Sequence, residues 1–80
     1  MTKKQAADEI ADYLEDVKGY EVEMNYGIMH SGGIIIYARN RMGLGLMEAL
    51  ELEDDLNQGG LGWEIEVLHQ GNNQIQIAVD

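Results

Sequence analysis

Gly19-Tyr20-Glu21-Val22-Glu23-Met24 and Gly62-Trp63-Glu64-Ile65-Glu66-Val67 share one pattern: glycine, aromatic, Glu, β-branched, Glu, apolar. In each, apolar and acidic residues alternate, the signature of a strand with one face buried. A helix-like segment precedes each copy, and a turn with a second β-rich run follows it. The chain therefore reads as helix-strand-strand written twice, over about residues 2–40 and 41–80.

In the first half, Thr2 with Gln5 three residues on forms a capping-box pattern. From there to about Lys18, Ala6, Ile10, Tyr13, Leu14 and Val17 recur at helical spacing, with Asp8, Glu9, Asp12, Glu15 and Asp16 opposite. Lys18 and Gly19 are the expected stop. Alternation then runs from Tyr20 to Met29, Ser31-Gly32-Gly33 turns the chain, and Ile34 to Arg39 closes a hairpin.

In the second half, a helix begins between Asn40 and Leu46 and runs to about Leu56. Alternation returns from Trp63 to His69. Gln70-Gly71-Asn72-Asn73 turns, and Gln74 to Val79 brings Ile75, Ile77 and Val79 to one face. The expected fold is α+β: a duplicated αββ unit (αββαββ) forming a four-stranded antiparallel sheet with two helices on one face. Val22, Met24, Ile34, Ile36, Ile65, Val67, Ile75 and Ile77 are the expected sheet core, with Ile10, Leu14, Leu46 and Leu50 over them.

The other sheet face is left uncovered, and the partner-binding residues are sought there. Alternation assigns it Glu21, Glu23, Ile35, Tyr37, Glu64, Glu66 and Leu68, among others. If the two matching strands are central neighbours, four carboxylates crowd together at spacings of about 5–7 Å. Each close pair then repels by roughly 0.8 kcal/mol in water. Ile35, Tyr37 and Leu68 add apolar area in the manner of an interface anchor.

The net charge of −10 on 80 residues, from 15 acids and five bases, limits the partners. Residues 1–40 hold seven acids and four bases; residues 41–80 hold eight and one. Such a surface is unsuited to nucleic acid, whose binding requires cations that displace counterions from phosphates, and to anionic membranes. A basic protein surface is the complementary partner. There is no cysteine, which removes disulfides and thiolate metal sites, and no stretch approaches the roughly 20 apolar residues of a membrane span. The opening Met1-Thr2-Lys3-Lys4-Gln5 lacks the apolar core of a signal peptide, so the expected location is cytoplasmic.

Catalytic, cofactor and metal signals are weak. Arg41-Met42-Gly43-Leu44-Gly45-Leu46 contains Gly-x-Gly, but Glu48 stands where a dinucleotide site needs a third small residue. His30 and His69 each close a strand without an orienting partner in sequence, and Ser31 lies in a turn. Glu53 falls on the expected buried face of the second helix; it either titrates in an apolar setting or turns its head to water. Glu51, Glu53, Asp54 and Asp55 together make an acidic helix end that opposes the helix dipole.

No catalytic, cofactor-binding or metal-binding residue is assigned. The expected function is a non-enzymatic acidic binding module that inhibits a partner by occupying a basic, nucleic-acid-binding surface. In size, charge and lack of catalytic groups the chain resembles the phage-encoded inhibitors of that kind, anti-restriction and anti-CRISPR proteins among them. The resemblance is one of composition and names no family. The alternative is a small homodimeric structural or regulatory protein pairing through the open sheet face.

Overall fold

The computed structural model describes residues 1–26 and 33–80. The expected continuation of the first strand to Met29 lies outside the described residues, as do His30, Ser31 and Gly32. The elements, in chain order, are α1 (Lys3–Asp16), β1 (Glu21–Tyr26), β2 (Ile34–Arg39), α2 (Leu46–Gln58), β3 (Ile65–Gly71) and β4 (Gln74–Val79).

The start of α1 follows its sequence. Gln5 N–H donates to Thr2 Oγ1 (3.1 Å) and Thr2 N–H to Gln5 Oε1 (2.8 Å), so two end donors are satisfied reciprocally. At the other end, Lys18 N–H donates to the Tyr13 carbonyl and Tyr20 N–H to the Leu14 carbonyl. Gly19 makes that reversal possible with a φ of +72°, a conformation a side chain disfavours. The strand β1 therefore leaves directly from the last helical turn.

The strands form one antiparallel sheet in the order β1-β2-β4-β3. The isoleucine-rich β2 and β4 are central, paired as Ile34–Val79, Ile36–Ile77 and Ala38–Ile75. The glutamate-bearing β1 and β3 are the edges. Charged side chains on edge strands discourage pairing with another chain, which is why this composition suits the outside of a sheet. Asn72 and Asn73, both with φ near +55° (52° and 59°), make the two-residue turn from β3 to β4.

One cluster unites the buried residues of both helices with one face of the sheet: Ile10 and Leu14 of α1, Ala49, Leu52 and Leu56 of α2, and the alternate residues of β2, β3 and β4. Both helices therefore lie on the same side. Val22 and Met24, on an edge strand, are only half-buried against this cluster.

The rotation of α2 differs from expectation. Leu46 and Leu50 are outside the core, 59% and 52% exposed, and Leu52 takes their place. The cause is the outer edge of β3. Asn57 Nδ2 donates to the Ile65 carbonyl (2.8 Å), and Ile65 N–H donates to Asn57 Oδ1 (3.1 Å). One helix side chain thus replaces one residue of a missing neighbouring strand. Val67 N–H donates to a carboxylate oxygen of Glu53 (2.9 Å). Turning Asn57 and Glu53 toward β3 satisfies backbone groups whose loss of pairing costs about 1–3 kcal/mol each when buried. With Asn57 and Glu53 held beside the edge of β3, Leu46 and Leu50, on the same flank of the helix, also lie outside the core. The Glu53 head is therefore neither free in water nor enclosed by apolar groups.

Candidate functional site

The four glutamates do not form one patch. Glu21 and Glu23 stand on β1, Glu66 on β3 and Glu64 just before it, at opposite edges of the sheet. Three strand spacings separate the edges by roughly 14 Å. At that distance two charges in water repel by about 0.3 kcal/mol before salt screening, so no strong mutual repulsion opposes folding.

Glu21 is also bracketed by cations. Arg39 Nη2 lies 3.1 Å from one carboxylate oxygen and Arg41 Nε 3.4 Å from the other. Arg39 is its direct cross-strand neighbour, so the register itself creates the pair.

Across the open face, one row runs Glu23, Tyr37, Gln76, Leu68 and the next Asn25, Ile35, Ala78, Glu66. An open depression of about 560 Å³ lies toward the Arg39 end, lined by Glu21, Glu23, Tyr37, Arg39, Gln70 and Gln74 among others. Leu68 is exposed and Tyr37 half-buried, whereas Ile35 is buried and offers little surface.

Most of the charge is on the helices. The span of α1 holds five acids and two lysines, a net −3; α2 holds five acids and no base, a net −5. Together they carry −8 of the −10. Glu51, Asp54 and Asp55 are exposed on α2, and Glu48 accepts from Gly45 N–H at its start (3.1 Å). The expected acidic helix end thus joins a longer anionic surface.

All five cations are engaged within the chain. Lys3 bridges to Asp80 (3.3 Å) and lies over the Trp63 ring (5.2 Å). Lys4 approaches Asp8 at 3.9 Å, Lys18 lies over Tyr13 (5.9 Å), and both arginines hold Glu21. These contacts are exposed and individually weak, but they consume the positive charge where it stands.

A second depression, of about 290 Å³, is lined by residues of both helices, Glu9, Ile10, Tyr13, Asp55 and Leu56, together with Leu61.

The polar residues that sequence reasoning missed organise the approach to α2. Asn40 Nδ2 donates to the Gly43 carbonyl (3.0 Å), and Leu44 N–H donates to Asn73 Oδ1 (3.2 Å). His69 Nε2 lies 2.9 Å from the Leu44 carbonyl, which can only accept, so this nitrogen carries the proton. His69 is thus a strut for the loop that presents α2. Only its position at the close of a strand, ahead of an Asn-rich turn, marked it. Among the described residues, no group of three or more His, Asp or Glu side chains is placed to hold a metal ion, and no helix is long and apolar enough to cross a membrane.

No protein-family model matches the chain, and no curated protein matches it.

Proposed function

We propose that the protein is a non-enzymatic acidic binding module that inhibits a partner by occupying its basic, nucleic-acid-binding surface, as phage-encoded anti-restriction and anti-CRISPR inhibitors do. The observation that carries this reading is the distribution of charge: a helical layer with −8 of the net −10, one helix of which has no base at all. A surface of one sign accelerates encounter with a surface of the other and disfavours like-charged competitors.

Two further parts of the reading rest on the same molecule. The element order, the left-handed Gly19 and Gly62 ahead of the two matching strands, and the central β2–β4 pair support a duplicated αββ unit. A cytoplasmic setting belongs to the same proposal, and a chain without cysteine needs no oxidising compartment to fold.

The test is capture followed by competition. The immobilised protein is used to retain partners from extract at low salt, and each retained protein is assayed for nucleic-acid binding with and without added inhibitor. The expected result is a basic partner that binds nucleic acid alone and releases it at one equivalent of this protein. A partner that keeps its nucleic acid with the protein in excess contradicts inhibition by occupancy.

A further inference from the structure

The face of α2 that the fold leaves outside is apolar as well as acidic. Leu46, Met47 and Leu50 are 59%, 66% and 52% exposed. Leu46 and Leu50 are one helical turn apart, and Met47 lies three residues from Leu50, so the three form one continuous surface. Glu51, one turn beyond Met47, and Asp54, one turn beyond Leu50, border it. A small domain gains by burying large aliphatic side chains, and the nearby Leu44, Leu52 and Leu56 are buried. Leu46 and Leu50 share the flank of α2 that Asn57 and Glu53 hold beside the edge of β3, outside the core, and Met47 lies next to them.

We propose that this face of α2 is the docking surface, and that its occupant is a partner protein offering an apolar hollow framed by lysine or arginine. The inference rests on the acidic-module reading and deepens it by assigning the surface and the chemistry opposite. An apolar helix face with spacing i, i+4 is the form in which helices enter such hollows. Charge selects the occupant: α2 carries five acids and no base, so the partner's rim must be positive. A second copy of this chain meets the opposite condition, because pairing α2 with α2 brings ten acids together without a cation on either helix. The aliphatic residues supply packed area and slow dissociation; Glu51 and Asp54 set orientation and encounter rate.

The probe is a short amphipathic peptide of leucine and lysine in helical pattern, with a control in which serine replaces every leucine. Amide shifts of the labelled full-length protein locate binding, and titration gives affinity. Shifts centred on Leu46 to Asp54, with weaker binding of the control, are expected. The double variant Leu46→Gln, Leu50→Gln keeps the charge and is expected to lose roughly tenfold or more in affinity for the leucine peptide. Its thermal unfolding should match that of the parent, which separates docking from folding.

Shifts confined to the open sheet face around Glu23 and Tyr37 overturn the assignment to α2 while leaving the acidic-module reading intact. No binding of either peptide at low salt overturns both. Self-association of the parent protein, abolished by Leu50→Gln, shows that a second copy covers the patch and overturns the proposed occupant.

Discussion

Replacing Ile77 by alanine is expected to lower the free energy of unfolding by about 3 kcal/mol. Ile77 is fully buried in β4, paired with Ile36 on one side and Val67 on the other, within the cluster that joins the sheet to the helices. Three missing carbon atoms leave a cavity that two central strands cannot close without losing register. A chain of this length is stabilised by roughly 4–12 kcal/mol, so the loss is a large fraction of the whole. Leu50→Ala should cost about 0.5 kcal/mol or less, because Leu50 is half in water. Urea denaturation of the two variants gives the comparison. Equal losses contradict the observed rotation of α2.

The second large effect is expected at Asn57. Its side-chain amide is the only pairing among the described residues for both the N–H and the carbonyl of Ile65 on the outer side of β3. Asn57→Ala leaves those two groups with at most partial access to water, a loss of about 2–3 kcal/mol. The better helix propensity of alanine returns about 0.5 kcal/mol. Gln58→Ala, next along the helix, removes only an exposed bond to Asp54 and should be nearly neutral. Faster amide exchange at Ile65 is the local readout, and the uncovered edge should also raise aggregation. Stability and exchange unchanged in Asn57→Ala contradict the strand-replacement role.

The comparison of Leu50 with Ile77 shows what could be read from the sequence and what could not. The boundaries of α1 were legible because Thr2, Gln5 and Gly19 act through local geometry. The inward residues of the strands were legible because alternation has a period of two and admits one solution per strand. The rotation of α2 was not, since Ala49 and Leu56 fit either a face with Leu46 and Leu50 or one with Leu52. Hydrogen bonds to the edge of the next strand, which no periodicity within the helix reports, decided between them.

The site was legible in composition and misplaced in space. The echo of Glu21-Val22-Glu23 in Glu64-Ile65-Glu66 suggested adjacency, but equivalent strands in two halves need not touch. A signal was present: charge on β1 and β3 and isoleucine on β2 and β4 distinguish edges from centre. With the glutamates apart and Glu21 held by two arginines, most of the net charge is that of the helices.

If a basic partner is recognised through the helical layer, the association rates of the captured partner with two variants of equal charge will differ. One carries Glu51→Gln, Asp54→Asn and Asp55→Asn on α2; the other carries Glu23→Gln, Glu64→Gln and Glu66→Gln at the sheet edges. At low salt the α2 variant is expected to associate roughly tenfold more slowly than the parent, and the sheet variant within about twofold of it. The difference should vanish near 1 M salt, where the Debye length is about 3 Å. Equal slowing of both variants, or slowing of the sheet variant alone, contradicts recognition through the helices.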